Sequence, residues 1–493
     1  MPLGELLNLG RQDVAPEHVA VFTRSGPPVT YGELAQLAKD AAVALQRLSA
    51  HSGARVVVCG GESIDTLIGI LGCWVAGAVA VPVSAELTET ELRHVIDDSG
   101  ASLMLTTAAE PGFTVDGVPM LPISALLSPG GTTSHARERN KERPDDALLL
   151  LYTSGTTGPA KAVCHTRRTF QAVLDASGEV FDFEPSDRVI SIAKMSFAYG
   201  FGATVLLALS RGASVILHER FGDPLEFWAL VREQRATVVI GVPRLWASLL
   251  RLHSLGHIDC APSVRRGVSA GEYMPTELRA RVLDELGIDV WDIVGSTETL
   301  HGFLAREPWS ATHKPMPGFV ASVRDDAGEP VASGEIGELW VAEGAVADGY
   351  EGWAADASGT FGNFGFRTGD SVRSLADGRI QYICRSDDLL KLGGHRVAPQ
   401  EVEAIVLSLP GVSACAVTPY LDENGLQDAV IHVVPLAGQE STIRDLVRIE
   451  LHRVLASHRR PKRIRIVTEL LVSRNGKLLR RELALEPGEL FEA

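Results

Sequence analysis

Over about the first 380 residues, stretches with apolar side chains three and four apart alternate with short runs that are apolar without a break. VTYGELAQLAKDAAVALQRLSA (29–50) has the helical spacing after its first few residues, as a helix burying one face requires. ARVVVCGG (54–61) is apolar from Val56 to Cys59 and ends in glycines, which predicts a buried parallel strand. ETELRHVIDDSG predicts a helix closed by Gly100, with ASLMLTT as the next strand. VVIGVPRLWASLLRL (238–252) repeats the strand-then-helix order. This alternation predicts βαβ units around mainly parallel sheets.

The pattern breaks in three places. SPGGTTSHARERNKERPDD (128–146) is polar and charged throughout and predicts a surface loop. From about residue 315 the strands become shorter and Gly-punctuated, as in GELWVAEG and FRTGD, which predicts an antiparallel subdomain. From about 388 the order is EVEAIVLSL helix, ACAVTPY and DAVIHVVPL strands and TIRDLVRIELHRVLA helix, a compact α+β unit. The fold class predicted is α/β: a large N-terminal domain of mainly parallel sheets plus an antiparallel subdomain, then a small α+β C-terminal domain. The charged residues of CRSDDLLKL separate two self-sufficient patterns and mark the boundary.

Composition narrows the class. A chain of 493 residues, 45% hydrophobic and 22% charged, has ample core for two or three domains. Its net charge of −16 argues against a nucleic-acid partner. The six cysteines lie far apart with no CxxC pair, which argues against zinc and a disulfide framework and predicts a reducing compartment, the cytoplasm. GELLNLGRQDVAPEH after Met1 lacks the basic and then apolar order of a signal peptide. LIGILGCWVAGAVAVPV (67–83) carries no charge over 17 residues, near the lower limit of a membrane span. Its glycines instead predict a buried helix ending at Gly77 followed by a buried strand.

Candidate chemistry begins at LYTSGTTGPAKAVCHT (151–166). Gly155 and Gly158 let backbone N–H groups turn inward as a nest for phosphate oxygens. Thr153, Ser154, Thr156 and Thr157 add hydroxyl donors, and Lys161 adds a point charge. The spacing is not that of a Walker-A loop. A flexible turn between strand ALLLLY and the next helix is the alternative.

In company, these residues resemble the phosphate loop of the adenylate-forming superfamily: acyl- and aryl-CoA synthetases, adenylation domains and luciferase-like enzymes. Its pattern is roughly T-S-G-T-T-G-x-P-K-G; here Pro159 and Ala160 stand in swapped order and Ala162 replaces a glycine, while Lys161 keeps its place. SAGE (269–272) and DIVGSTE (292–298) resemble the adenine-side and Thr-Glu motifs. FRTGD (366–370) resembles the ribose motif, RSDDLLKLGGHRVAPQEVE (385–403) the hinge, and RNGKLLRREL (474–483) the catalytic-lysine motif.

The resemblance implies a division into an adenylation domain (1–384), a hinge (385–388) and a mobile lid (389–493). It implies that a carboxylate attacks the α-phosphate of ATP, for which cations and donors must be fixed in place. Thr297 would donate to the α-phosphate and Glu298 would help hold Mg2+, unless Glu298 is a first-turn acid. Gly271, Glu272 and Ser296 would lie on the nucleotide side, and Asp292 would accept from the adenine amino group, with Val294 in a position that is often aromatic. Asp370 would accept from the ribose hydroxyls, unless it is a turn residue. Arg385 would approach the ribose or pair with an acid, and Cys384 replaces a glycine as a packing residue. Lys477 would act between carboxylate and α-phosphate, unless it is one more cation of a stretch (451–481) with ten Lys or Arg and one Glu. Asp387 would be the hinge acid, and Gly393 and Gly394 would line a thiol tunnel in which a pantetheine arm passes close to backbone.

SIAKMSFAYGFG (191–202) and GSTETLHGFL (295–304) look most like benzoate-CoA ligases and their aryl-CoA relatives. This implies an acyl pocket of Phe197, Ala198, Tyr199, Gly271, Gly295, His301 and Gly302. Gly302 stands where a bulkier aliphatic residue is usual, which predicts an acid larger than benzoate. His301 is otherwise a core histidine satisfied by a backbone carbonyl. The expected function is ATP-dependent acid–CoA ligation of an aryl or bulky cyclic carboxylic acid, with ATP, Mg2+ and CoA. The alternatives are an acyl-AMP ligase serving a carrier protein or a separate partner, and a non-catalytic nucleotide- or acyl-binding protein.

Overall fold

A computed structural model describes residues 14–24, 26–48, 50, 52–107, 114–115, 117–127, 147–153, 160–218, 223–351, 359–392, 395–421, 427–436, 438–439, 442–456, 459–472, 478–485 and 490–492. The chain forms two compact units: Met1–Ala321 with Trp340–Arg367, and Ser322–Leu339 with Thr368–Ala493.

The first unit holds two sheets. One runs Met120–Pro122, Leu103–Thr106, Arg55–Gly60, Val79–Ser84, Ala147–Thr153 and Lys161–Thr166. All its pairings are parallel except the last, which is antiparallel. The other has nine strands, from Lys314–Pro315 through Gly302–Arg306, Val290–Gly295, Arg266–Ala270, Val238–Gly241, Arg188–Ser191, Ser214–Leu217 and Val19–Thr23 to Val29–Thr30. Its five central pairings are parallel and its edges antiparallel. Mainly parallel sheets follow from the strand–helix alternation, because each helical crossover returns the chain in the same direction.

Local chemistry accounts for the elements. The helix Tyr31–Arg47 starts at Thr30, whose hydroxyl accepts from Glu33 N while the Glu33 carboxylate accepts from Thr30 N, a reciprocal cap. It buries Leu34, Ala38, Ala41 and Leu45. Residues 67–83 form the expected buried pair: the helix Ile64–Ala76 ends at Gly77, at φ 80°, and the strand Val79–Ser84 is buried along its length. Gly72 lets this helix close on its neighbour, since a Cβ there would lie 2.7 Å from Ala41 Cβ. Among the described residues no helix is long and apolar enough to cross a membrane.

One element departs from ordinary helix geometry. Phe201–Ala208 is a π-helical stretch, every residue buried, entered through the short turn Ala198–Gly200. The Thr204 hydroxyl donates to Gly200 O at 2.7 Å. Wide turns of this kind cluster at functional sites.

A further sheet contains Phe319–Arg324, Ile336–Glu343, Gly365–Ser374 and Phe361–Gly362, with Ile380–Arg385 antiparallel to Gly365–Ser374. In the second unit, a sheet of Val412–Leu421, Gln427–Pro435, Arg463–Ile466 and Phe491–Glu492 carries the core. Val417, Ile431, Val433 and Ile464 from its strands meet Val402 and Val406 of the helix Pro399–Leu407 and Ile443, Val447 and Leu451 of the helix Ile443–Val454. This is the compact α+β unit that the sequence predicts.

Candidate active site

The antiparallel pair Ala147–Thr153 and Lys161–Thr166 puts Thr153 opposite Lys161. These two residues flank the Thr/Gly loop, whose Ser154, Gly155, Thr156, Thr157 and Gly158 lie outside the described residues. The Lys161 ammonium stands over the Tyr350 ring, with Nζ 4.9 Å from its centroid. The Tyr350 hydroxyl donates to Glu298 Oε1 at 2.6 Å. Burial and the Glu298 charge both raise the Tyr350 pKa, so this phenol is a proton donor at neutral pH. Lys161 and Glu298, far apart in sequence, thus meet on one side chain. Tyr350 went unnoticed in the sequence; the signal was the Gly-Tyr pair that follows the strand GELWVAEG.

The Thr-Glu motif is a tight turn. Thr297–Thr299 is a 3-10 turn led by Ser296, whose N–H donates to Thr299 Oγ1 at 3.3 Å. Leu300 follows at φ 59°, left-handed and costly for a bulky residue. Ala347 N donates to Glu298 O at 2.8 Å, tying the turn to the segment that carries Tyr350. Oε2 of Glu298 takes no donor among the described residues. One carboxylate suits a magnesium ion that arrives with nucleotide phosphates better than one held in a protein cage.

Asp292 lies in a buried polar network. It is 2% exposed, and its Oδ2 accepts from Arg306 at 2.6 Å and from His313 Nε2 at 3.2 Å. Arg306 also donates to Met274 O at 2.5 Å. The carboxylate is held through Oδ2 by two basic side chains of the strand edge and its loop. Gly271 turns the chain at φ 90° after the strand Arg266–Ala270, and Glu272 lies 3.6 Å from Arg244.

Around the π-helical stretch the expected acyl residues converge. Tyr199 donates to Gly241 O and Val268 O, each at 3.1 Å. Its ring centroid is 5.8 Å from that of His301, which lies 5.0 Å from Phe181. A Cβ on Gly202 would stand 2.3 Å from His301 Cδ2, so glycine lets the imidazole lie against the helix. Burial lowers the His301 pKa to about 4. The backbone of Tyr199 acts on the ring in the opposite direction, raising its pKa as a hydrogen-bond partner would, which is the backbone-satisfied arrangement of the alternative reading. Phe197 and Ala198 lead into this turn, and Phe197 O accepts from Phe201 N at 2.8 Å.

Gly295 and Gly302 face each other across the antiparallel strands. A Cβ on Gly295 would meet His301 O at 2.6 Å. A Cβ on Gly302 would meet Ile293 Cγ2 at 2.2 Å and Met316 Sδ at 3.2 Å. The expectation of an enlarged pocket at Gly302 is therefore corrected: the missing side chain makes room for Ile293.

In the second unit Asp370 lies opposite Arg385. Asp370 Oδ1 accepts from the Tyr382 hydroxyl and from Arg385 Nη1, each at 3.1 Å, and Arg385 also donates to Thr368 O at 2.6 Å. Of the two alternatives for Arg385, pairing with an acid is present. Cys384 is buried and its thiol is pushed up to about 12, chiefly by burial, so it packs and does not react. Asp387, in the turn Ser386–Asp388, lies 3.8 Å from Arg481. Lys477, Gly393 and Gly394 lie outside the described residues. Val472 and Leu478, on either side of the lysine segment, pair antiparallel. Just beyond, Arg480 pairs with Glu403 and donates to Val417 O at 2.8 Å.

The family model of the AMP-binding enzymes matches residues 11–351, and that of the AMP-binding enzyme C-terminal domain matches residues 401–477. Benzoate–CoA ligase of Thauera aromatica is 30% identical over 491 residues, covering 94% of this chain and 92% of its own. The crystal structure of a benzoate CoA ligase from Burkholderia xenovorans LB400 superposes with a TM-score of 0.85 at 28% identity, over 97% of this chain and 98% of that one. That of the anthranilate CoA ligase AuaEII with anthranoyl-AMP gives 0.87 at 25% identity, over 98% and 96%. This chain belongs to the AMP-binding enzyme family, with both its large domain and its C-terminal domain.

Proposed function

We propose that the protein is an ATP-dependent aryl acid–CoA ligase that acts on a benzoate-sized carboxylic acid. The observation that supports the reading is the meeting of Lys161 and Glu298 on Tyr350, a cation suited to phosphate beside a carboxylate suited to Mg2+.

In the first half-reaction an acid oxygen forms a bond to the α-phosphorus while the bond to the bridging oxygen breaks, and pyrophosphate leaves. Lys161 and the Thr/Gly loop neutralise the β- and γ-phosphates, and Thr297 donates to the α-phosphate. Mg2+, held by Glu298 with the nucleotide, supplies neutralising positive charge when bound. Asp370 takes the ribose hydroxyls, with Arg385 holding its carboxylate in place. Lys477 brings its ammonium to the attacking carboxylate and the α-phosphate. In the second half-reaction the CoA thiol releases its proton to solvent, the sulfur attacks the acyl carbonyl, and AMP leaves with both electrons of the broken C–O bond.

The acid lies against Phe197, Ala198 and Tyr199, with the neutral His301 presenting a ring nitrogen to a polar ring substituent. The C-terminal region (389–493) moves about 385–388, with Asp387 as hinge acid, removing Lys477 and presenting Gly393 and Gly394 to the pantetheine arm. The reducing setting suggested by unpaired cysteines fits the cytoplasm. A carrier-protein thiol in place of CoA is the second reading, since no described residue distinguishes the two pantetheine bearers. Pyrophosphate exchange into ATP tests the first half-reaction: it requires an aryl acid such as benzoate, and exchange that ignores the acid would contradict the proposal.

A further inference from the structure

Tyr350 has more fixed contacts than its place in a loop requires. It forms a bridge with Val163, and the next residue, Glu351, donates its N–H to Ala162 O at 2.8 Å. The Glu351 carboxylate pairs with Arg55, both buried, and Arg55 also donates to Ser99 O at 2.5 Å. Arg168 donates to Gly344 O at 3.1 Å and to Val346 O at 2.9 Å. The segment is thereby fastened to the strand that carries Lys161 and, through Ala347, to the Thr-Glu turn. The Tyr350 ring meets Phe361 edge-on, with centroids 5.4 Å apart. Phenylalanine would make that contact as well, so core packing does not explain the hydroxyl. Its bond to Glu298 Oε1 at 2.6 Å has the length of a charge-assisted hydrogen bond.

We infer that Tyr350 is a positioning residue for the metal–nucleotide complex: its hydroxyl fixes the Glu298 carboxylate through Oε1, so that Oε2 is the oxygen presented to Mg2+, while its ring face holds the Lys161 ammonium. The inference rests on reading Glu298 as the metal-side acid and Lys161 as the phosphate-side cation. A glutamate left to choose among rotamers must be ordered when the ion binds, and the tyrosine does this ordering in advance.

The test is calorimetric titration of the full chain with ATP, with Mg2+ in excess and again with Mg2+ chelated, for wild type, Tyr350→Phe, Glu298→Gln and the double variant. The ratio of the two affinities is the gain due to the metal, and it needs no knowledge of the acid. Tyr350→Phe should cut that gain about tenfold, or about 1.4 kcal/mol. Its metal-free affinity should stay within about twofold of wild type, because the ring under Lys161 remains. The double variant should lose no more than Glu298→Gln alone, as expected if the tyrosine acts through the glutamate. A full metal gain in Tyr350→Phe beside a lost gain in Glu298→Gln would overturn the inference and leave the metal reading standing. An equal loss with and without metal would make Tyr350 merely structural and overturn it too. A full gain in Glu298→Gln would bring down the metal reading, and the inference with it.

Discussion

His301 and His165 are buried and uncharged, with pKa values lowered to about 4 and about 3 by burial. An unfolded chain takes up these protons near pH 6.5, while the folded chain refuses them until far lower. Their contribution to stability is therefore complete above pH 6.5 and is lost as pH falls toward 4, by about 3 kcal/mol for His301 alone. Melting temperature should drop across that window, and less steeply in His301→Gln; an unchanged slope in the variant would contradict the buried neutral state. Gly302→Ile should lower the melting temperature, because the new Cβ meets Ile293 and overpacking costs about 1–3 kcal/mol. A stable variant with a changed acid profile would return Gly302 to the pocket wall. Lys477→Ala should lower adenylation roughly 10²–10³-fold, the cost of one electrostatic donor, while ATP binding and melting stay near wild type. Near-normal acyl-AMP formation would remove Lys477 from the chemistry. At this scale the motifs reveal residue types but not what fills the space beside them. Ile293 closing on Gly302, and Arg306 with His313 claiming Asp292, come from neighbouring strands and loops that no local pattern announces.

Elements whose signals are local were legible. The capped helix Tyr31–Arg47 and the helix–Gly77–strand of residues 67–83 each carry their own start, stop and period. The π-helical Phe201–Ala208 was not, because a segment apolar on all sides has no polar face from which to read its pitch. The bond between Tyr350 and Glu298 spans 52 residues and joins a loop to a turn, so neither residue's surroundings foretell the other. In the second unit, the helix Arg480–Leu485 is tied back by the largely buried pair of Arg480 and Glu403, whose Oε1 also accepts from Val417 N at 2.7 Å. Breaking one side of such a pair strands a charge. Glu403→Leu should therefore lower stability by about 3 kcal/mol in urea unfolding, and Glu403→Leu with Arg480→Met should recover most of it. No recovery in the double variant would mean that the hydrogen bonds to the backbone, not the charge pair, hold the helix.

The whole molecule has two units, each with its own core: Lys161, Thr297 and Glu298 belong to the first, Asp370 and Arg385 to the second. Tyr199 and His301 belong to the first unit, and the segment around Leu478 to the second. The most direct measurement is mass spectrometry of the products from ATP, Mg2+ and a panel of benzoate, hydroxybenzoates, anthranilate and larger polycyclic acids, each with and without CoA. Aryl-CoA from a benzoate-sized acid, with acyl-AMP seen only when CoA is withheld, is the result expected. Acyl-AMP that persists in the presence of CoA would contradict CoA as the acceptor, and neither product from any acid would contradict the account as a whole.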